Sequence, residues 1–148
     1  MTINHQLMTI DKKIISFLKK HHVLTLATCI KNEPWCANCF YVYNEEENTL
    51  IFTSDDDTRH ARESIQNPNV AGSVVLETNV IGKIQGIQFQ GTITKAKGEK
   101  LKISKQKYLY RFPIATLMNT NLWILELTLI KMTDNQLGFG KKLIWKKE

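Results

Sequence analysis

The stretch FTSDDDTRHARESIQNP, residues 52–68, joins an apolar run to a short polar segment with helical character. The preceding apolar residues predict a strand that turns polar at Thr53, and three aspartates follow before Thr58. From Thr58 onward the residues predict a helix that ends before Pro68. Hydroxyl groups and a cation where a strand meets a helix N-terminus favour a bound phosphate, because the first N–H groups and the helix dipole attract anions.

Two interpretations of this stretch stay open on these residues alone. In the first, Asp57 or Thr58 only caps the helix, with its side chain accepting a hydrogen bond from an N–H group of the first turn. In the second, the same residues bind a phosphate, and Arg59 adds two parallel hydrogen bonds to it. Both interpretations predict the same strand-to-helix junction, so the rest of the chain has to decide between them.

The composition is typical of a globular protein. The chain has 148 residues, of which 43% are hydrophobic and 23% are charged, and this indicates one domain with its own core. No apolar run approaches the roughly 20 residues that cross a bilayer. Residues 1–13 lack the order of basic, apolar and small residues that marks a signal peptide. We therefore expect a cytoplasmic protein without a membrane segment.

The three cysteines, Cys29, Cys36 and Cys39, fit that compartment, because an odd, small number makes a poor disulfide framework. Cys36 and Cys39 have the spacing of a redox or zinc-binding CxxC motif. The residues around them, WCANCFYVY, nevertheless predict a strand. Side chains three positions apart on a strand point to opposite faces. The pair is therefore predicted to form neither a disulfide nor a metal site.

The net charge of +6, from 20 basic and 14 acidic residues, raises the possibility of nucleic-acid binding. Lysines concentrate in residues 95–107 and near the C-terminus, which is a pattern typical of solvated faces. The acidic groups at residues 45–47 and 55–57 interrupt any continuous basic stripe. The charge distribution therefore favours other functions over nucleic-acid binding.

Hydrophobic periodicity predicts a barrel with helices on its outside. The first three strands are separated by short polar turns and predict an antiparallel meander. Strands and helices do not alternate, so we expect a mainly β fold (β+α), an antiparallel split β-barrel with peripheral helices. Thr9 is the predicted N-cap of the first helix. The predicted strands lie at 23–28, 35–43, 49–52, 70–76, 84–95, 122–132 and 143–145, and the predicted helices at 9–21, 58–66 and 98–111.

The order of these elements resembles the FMN-binding split-barrel proteins related to pyridoxamine phosphate oxidase. The strings that carry the resemblance are FTSxxxTRHARxxxxNP, GIQFQG, RFP and TDNQLGFGKKLIW, together with WCANCFY. They extend over about residues 20–145 and are specific as a set for a small uncharacterised bacterial branch. The resemblance implies one FMN-binding split-barrel domain, residues 1–148, and a homodimer with the cofactor at its interface.

The resemblance also implies a set of cofactor contacts. Hydroxyl groups and a basic pair at the strand-to-helix junction would hold the phosphate of FMN, and residues of the sheet would face its ring. The implied phosphate contacts are Thr53, Thr58, Arg59 and His60. The implied ring contacts are Asn38, Tyr41 and Gln88, with Gln85 as a neighbouring candidate, and Lys141 or Lys142 is the implied contact near the C-terminus.

This chain departs from the oxidase pattern at three positions. Counting without gaps from Pro34 places Ala37 and Val42 where the oxidases have an Arg and a Lys. The first change removes a phosphate ligand and the second a ring contact. His60 stands where the oxidases have Lys, so its charge depends on pH near neutrality. The substrate-phosphate residues of the oxidases have no clear match, and we do not expect pyridoxamine-phosphate oxidase activity itself.

Three functions from different classes follow. The first is a flavin-dependent oxidoreductase that acts on an unknown small molecule, with no residue singled out as its catalytic acid or base. The second is a non-enzymatic binder of haem or another planar cofactor, for which His21 or His22 would be an axial ligand. The third is a basic nucleic-acid-binding barrel. It is disfavoured because Trp35, Tyr41 and Tyr43 are predicted to belong to core strands rather than to a basic face.

Overall fold

The computed structural model describes residues 9–117 and 121–148. Its strands and helices follow the periodicity of the sequence closely. The strands are β1 Val23–Ile30, β2 Glu33–Asn44, β3 Thr49–Ser54, β4 Asn69–Val75, β5 Gln85–Lys95, β6 Asn121–Asp134 and β7 Lys142–Lys146. The helices are α1 Lys12–Lys20, α2 Arg59–Gln66 and α3 Gly98–Arg111, with short 3-10 turns at Ile81–Lys83, Pro113–Leu117 and Asn135–Leu137.

The seven strands form one antiparallel sheet that closes on itself. Their order is β3-β2-β1-β4-β5-β6-β7, and β3 also pairs with β6. One edge of β6 pairs with β5 along most of its length. The other edge pairs with β3 over residues 121–126 and with β7 over residues 129–133. Two strands thus share that edge, which produces a split barrel, and the predicted fold class is confirmed.

The core fills the barrel interior because alternate residues of each strand point inward. Leu24 and Leu26 of β1, for example, are completely buried. Burying one such side chain stabilises the fold by roughly 1.5–3 kcal/mol. Helix α1 adds Ile14, Phe17 and Leu18 to this core. Helix α3 instead packs on the outside of the barrel, in a second cluster composed of Ile51, Ala96, Tyr108 and Leu122.

The outer face of β2, β1, β4, β5 and β6 carries mostly small and polar side chains that are partly or fully exposed. Strand register aligns five of them in a row that we call the outer row. The outer row consists, in order across the sheet, of Asn38, Thr25, Ser73, Gln88 and Lys131. A parallel row of Cys36, Ala27, Ala71, Gln90 and Leu129 lies beside it.

Two boundary predictions were wrong. Asp11, not Thr9, caps α1, since its carboxylate accepts a hydrogen bond from Lys13 N at 2.8 Å. Asp is among the strongest N-cap residues, which explains the later start. Strand β6 continues to Asp134 instead of ending at residue 132. Its last residues keep their pairing with Gly86 and with the neighbouring residue of β5.

Gly91 provides a test of how tightly the barrel is packed. A Cβ atom at this position would lie 2.3 Å from the carbonyl oxygen of Glu126, whereas a Cβ at Gly82 would meet nothing within 4 Å. We expect Gly91→Ala to lower the free energy of unfolding by about 1–3 kcal/mol, since overpacking forces the backbone apart. Gly82→Ala is the matched control and should leave stability unchanged or raise it slightly.

Urea unfolding followed by tryptophan fluorescence measures both glycine variants. Equal midpoints for Gly91→Ala and the wild type would show that β5 and β6 are not in close contact at this position.

Candidate functional site

The junction between β3 and α2 is built around Thr58. The Thr58 hydroxyl accepts a hydrogen bond from Ala61 N at 3.3 Å and donates one to the carbonyl oxygen of Asp55 at 2.9 Å. Thr58 is thus the N-cap of α2, and of the two candidates, Asp57 and Thr58, the structure selects Thr58. The cap fixes the direction of the helix relative to the end of β3.

Three polar side chains converge beside this cap, and we call Ser54, Thr58 and His60 the hydroxyl–imidazole cluster. Ser54 Oγ lies 2.5 Å from His60 Nε2 and 3.2 Å from Thr58 Oγ1. His60 Nε2 lies 3.3 Å from Thr58 Oγ1. The main chain of Ser54 is fixed as well, since its carbonyl oxygen accepts a 3.0 Å hydrogen bond from Trp123 Nε1. The Ser54 hydroxyl, the imidazole and the N–H groups of a helix N-terminus are a donor set that fits a phosphate group. The Thr58 hydroxyl donates to Asp55 and supports the set as the helix cap.

Thr53 lies on the other side of β3 from this cluster. Successive side chains of a strand point to opposite faces, and Thr53 Oγ1 lies 3.2 Å from the hydroxyl of Tyr108 in α3. The structure therefore brings Ser54, rather than the predicted Thr53, next to Thr58 and His60. Sequence reasoning missed both Ser54 and Tyr108. The inward position of Phe52 was a signal that Ser54 would also point inward.

The guanidinium group of Arg59 points towards β2. Arg59 Nε donates a 2.7 Å hydrogen bond to Glu63 Oε1, and Arg59 Cζ lies 4.4 Å from the ring centroid of Trp35. Arg59 Nη2 is 3.9 Å from Glu33 Oε2. Trp35 lies in β2, as predicted, but its side chain is 43% exposed and not part of the core. The ring instead provides a flat surface on which the Arg59 side chain lies.

Glu63 connects α2 to two other parts of the barrel. Its Oε1 accepts from Arg59, and its Oε2 accepts a 2.5 Å hydrogen bond from the hydroxyl of Thr28 in β1. These two hydrogen bonds, led by the one from Thr28, lower the pKa of the Glu63 carboxyl below its usual value. Glu63 is therefore ionised and neutralises much of the positive charge of Arg59 at this junction.

His60 is in a different electrostatic environment from an exposed histidine. Burial lowers the pKa of its imidazole below the usual 6.5, and the nearby Glu63 charge only partly offsets this effect. The imidazole is therefore neutral at neutral pH when no anion is near. A bound dianion would favour the protonated ring, because an opposite charge within a few ångströms stabilises it.

The implied ring contacts do not all face the same way. Asn38 and Gln88 both lie in the outer row, and Asn38 Oδ1 accepts a 2.8 Å hydrogen bond from the Thr25 hydroxyl. Two strands separate them, so about 14 Å lies between them at ~4.8 Å per strand. Tyr41 instead points into the core, where its hydroxyl donates to the Leu18 carbonyl oxygen at 2.8 Å.

The candidates near the C-terminus lie at the turn before β7. Lys141 is exposed and its main chain bonds to Gly138 and Asp134. Lys142 Nζ lies 2.7 Å from Thr133 Oγ1. The structure thus brings Ser54, Thr58 and His60 together. It leaves Tyr41 in the core and Lys141 in a separate turn.

The cysteines and the histidines before β1 add little to this site. Cys36 is exposed and Cys39 is buried, so the prediction that they point to opposite faces is confirmed. Burial raises the pKa of the Cys39 thiol to about 11. The His21 ring packs on Phe17 with 4.1 Å between the ring centroids. His21 Nε2 is buried and has no hydrogen-bond partner among the residues that the structure describes.

None of the helices in the described ranges 9–117 and 121–148 is long and apolar enough to cross a membrane.

Comparisons with known proteins agree with this architecture. A family model described as pyridoxamine 5'-phosphate oxidase matches residues 10–124. A UPF0306 protein of Photorhabdus laumondii is 44% identical to this chain over 131 residues, which cover 88% of this chain and 92% of that protein.

Solved structures share the same barrel. A haem-binding protein from Mycobacterium smegmatis superposes with a TM-score of 0.75 at 15% identity, over 95% of this chain but only 60% of that one. An FAD-binding protein from Mesorhizobium loti superposes with a TM-score of 0.70 at 11% identity, over 84% of this chain and 94% of that one. At such low identities the likeness shows the fold alone.

The closed sheet with its divided β6 edge defines a split-barrel protein of the kind that includes flavin-binding and haem-binding members. The chain belongs to the pyridoxamine 5'-phosphate oxidase family and, within it, to the UPF0306 proteins.

The neutral state of His60 predicts how stability depends on pH. Because the pKa of His60 is lower in the folded protein than the usual 6.5, the unfolded chain takes up a proton first as the pH falls. The free energy of unfolding should therefore decrease below pH 6.5 and flatten once the folded imidazole is also protonated. His60→Gln should reduce this decrease, as measured by urea unfolding at several pH values.

His21→Gln is the matched comparison for the pH experiment, since burial also lowers the pKa of His21. Each variant should remove part of the pH dependence. A His60→Gln variant with the full wild-type dependence would mean that the His60 imidazole is not desolvated in the folded protein.

Proposed function

We propose that this protein is a cytoplasmic, homodimeric FMN-binding protein that acts as a flavin-dependent oxidoreductase on a small molecule. The observation that carries the proposal is the convergence of Ser54, Thr58 and His60 at the N-terminus of α2. The family resemblance assigns the FMN phosphate to this same junction. The free cysteines support the reducing compartment.

In this proposal the chain binds the phosphate with hydroxyl groups and one titratable ring. Ser54 and the first N–H groups of α2 donate hydrogen bonds, and Thr58 holds those N–H groups in place as the helix cap. His60 takes up a proton as the phosphate binds, and its positive charge compensates part of the phosphate charge. Arg59 adds positive charge from the edge of the cluster while Glu63 and Trp35 hold its side chain. These interactions take the place of the phosphate ligand that is lost at Ala37.

The outer row supplies groups for the flavin ring. Asn38 and Gln88 carry side-chain amides on an exposed sheet face, where amide groups can donate to or accept from the edge of a heterocycle. The flavin, when bound, supplies the redox chemistry. The residues of the chain position it and exclude water from one side of it.

Haem binding is the alternative suggested by one structural relative. The structure favours FMN over haem, because His21 Nε2 is buried and the His21 ring packs against Phe17. An iron ligand needs a nitrogen that faces the cofactor. A haem titration with His21→Ala and His22→Ala tests the alternative directly, since an unchanged Soret band in both variants would exclude these two ligands.

Nucleic-acid binding is further disfavoured by the ion pairs on the surface. Lysines in four parts of the chain are paired with carboxylates, which reduces the positive field that a polyanion would meet. The pairs are Lys19–Glu45, Lys95–Asp56, Lys107–Glu46 and Lys147–Glu126.

FMN titration monitored by flavin fluorescence tests the phosphate site. Thr58→Ala should weaken FMN binding by about tenfold, because it loosens the cap of α2, which is worth ~1 kcal/mol, and with it the N–H groups that would face the phosphate. Thr58→Ser keeps the hydroxyl and should bind like the wild type. Arg59→Ala should cost less affinity than Thr58→Ala, since the Arg59 guanidinium is already held by Glu63.

The pH dependence of FMN binding tests the role of His60 separately from the roles of Thr58 and Arg59. Wild-type affinity should rise as the pH falls from about 7.5 towards 6, as His60 becomes protonated in the complex, and His60→Gln should lose this rise. If the wild type, Thr58→Ala and Arg59→Ala bind FMN with equal affinity, the junction only caps α2 and does not bind the phosphate.

The proposed homodimer places two outer sheet faces together. Ala27 and Ala71 give this face a small-residue centre, and the apolar side chains of Val23, Phe40 and Val75 are exposed on the sheet. Ala71→Arg should therefore convert the dimer to monomers in sedimentation experiments. Gln66→Arg, on the exposed side of α2, adds the same charge elsewhere and should leave the dimer intact.

Sedimentation of the wild type sets the baseline for the dimer experiment. A wild-type protein that is monomeric at all concentrations would contradict the homodimer, whatever the two variants do.

A further inference from the structure

Two short turns lie next to each other at one end of the barrel and expose apolar side chains. The first turn, Ile81–Lys83, precedes β5, and the second, Asn135–Leu137, follows β6. Within and beside these turns, Ile81 is 68% exposed and Phe139 is 81% exposed. We call the exposed apolar residues of this region the apolar tip, and it consists of Val80, Ile81, Ile84 and Phe139.

Asn135 holds the two turns in a fixed arrangement. Its Nδ2 donates a 2.9 Å hydrogen bond to the carbonyl oxygen of Ile81, and its Oδ1 accepts a 3.2 Å hydrogen bond from Gly140 N. Phe139 lies between Gly138 and Gly140, which both have positive φ angles that favour glycine. The apolar tip is therefore largely preorganised, and little backbone freedom is lost when a partner covers it.

The apolar tip projects from the barrel instead of lining a groove. A Cβ atom placed at Gly82, Gly138 or Gly140 would meet nothing within 4 Å, so both turns are surrounded by open space. Exposed apolar patches of this kind mark interactions with proteins or membranes. A projecting tip suits a partner whose apolar part deforms around it, as the acyl region of a bilayer does.

Three exposed lysines flank the apolar tip along the chain. Lys83 ends the first turn, and Lys141 and Lys142 follow the second. Lys142 Nζ lies 2.7 Å from the hydroxyl of Thr133, which is a neutral partner that leaves the charge of the ammonium group uncompensated. The tip is thus bordered by positive charge on both turns.

Helix α1 brings two more cations to the same end of the barrel. Lys13 and Lys20 line a cavity of about 280 Å3 together with Gln85 and Asp134. Gln85 Nε2 in turn donates a 3.1 Å hydrogen bond to Gln136 Oε1 in the second turn. Within the described ranges 9–117 and 121–148, none of the five lysines forms an ion pair.

The carboxylates of this end offset only part of that charge. Residues 9–20, 76–86 and 131–142 form this end, and their carboxylates are Asp11, Glu77 and Asp134. Asp134 is 4% exposed, and the Asp11 carboxylate accepts from the main chain of α1. The surface around the apolar tip is therefore positive, which complements an anionic partner.

We infer that the apolar tip docks on an anionic phospholipid bilayer, with Phe139 and Ile81 among the acyl chains and the surrounding lysines against the lipid phosphates. Exposed apolar groups beside cations match the two layers of a membrane interface. The cytoplasmic leaflet carries anionic lipids, so docking is compatible with the proposed cytoplasmic location. It does not depend on the proposed FMN site.

Co-sedimentation of the full chain with lipid vesicles tests the inference without flavin. Vesicles that mix phosphatidylglycerol with phosphatidylcholine should bind the protein about tenfold more tightly than vesicles of phosphatidylcholine alone. Binding to the mixed vesicles should weaken as the salt concentration rises, because salt screens the lysine charges. No binding to the mixed vesicles, or equal binding to both kinds, would overturn the inference.

Variants of Phe139 test the apolar contact. Phe139→Ala should weaken binding to the mixed vesicles by about tenfold, because it removes the largest apolar group of the tip. Phe139→Trp keeps an aromatic ring suited to the membrane interface and should bind at least as tightly as the wild type. Ile65→Ala is the matched control, since Ile65 is 67% exposed on α2, and it should bind like the wild type. Unchanged binding of Phe139→Ala would contradict the inference.

Lysine variants test the charge around the apolar tip. The double variant Lys20→Gln, Lys83→Gln should weaken binding to the mixed vesicles by about tenfold and reduce its salt dependence. The double variant Lys102→Gln, Lys105→Gln removes the same charge from α3 and should bind like the wild type. Equal losses in both double variants would mean that the net charge of the protein, and not the tip, attracts the vesicles.

Sedimentation without vesicles tests whether a second copy covers the apolar tip instead. Phe139→Ala should keep the oligomeric state and the thermal midpoint of the wild type, since the Phe139 side chain is 81% exposed. If Phe139→Ala dissociates a wild-type oligomer, the tip is a protein interface and the inference is wrong. None of these experiments contains flavin, so their results do not depend on whether the protein binds FMN.

Discussion

Pairing between β3 and the first half of β6 is the interaction on which the rest of the structure depends. It closes the sheet into a barrel, and it joins residues that are far apart along the chain, such as Thr53 and Leu122. It also sets the end of β3 beside Trp123, whose indole N–H holds the carbonyl oxygen of Ser54. The position of the hydroxyl–imidazole cluster is therefore a result of barrel closure. The capped helix then builds on a strand end that is already fixed.

Glu63 gives the junction its electrostatic balance. One carboxylate accepts hydrogen bonds from both Thr28 and Arg59, so α2 is attached to β1, and through Arg59 and Trp35 to β2. In the proposed function, this arrangement leaves the Ser54 hydroxyl, the first N–H groups of α2 and the neutral imidazole of His60 to receive the phosphate. A site of this kind differs from one that relies on a permanent cation, because its charge appears only when a proton binds.

Local features of the fold could be predicted from the sequence, and non-local ones could not. Short turns predicted the β1–β2–β3 meander, and N-cap preferences limited the cap of α2 to Asp57 or Thr58, between which the structure decides. The partners of Thr53, Ser54 and Arg59 depend on which way a helix crosses a strand, and no short-range pattern specifies that direction. Tyr41 is an intermediate case. The resemblance implied a ring contact for Tyr41, but it shares the inward parity of Cys39 and Tyr43, and alternation along β2 therefore places it in the core.

Close contacts at two glycines have a wider consequence. The Phe89 ring occupies the space that a side chain at Gly72 would need, and β6 occupies the corresponding space at Gly91. The interior of the barrel is therefore closely packed at both glycines. Residues on the exposed outer face can change without disturbing this packing. The structural relatives that share this barrel include a haem-binding and an FAD-binding protein.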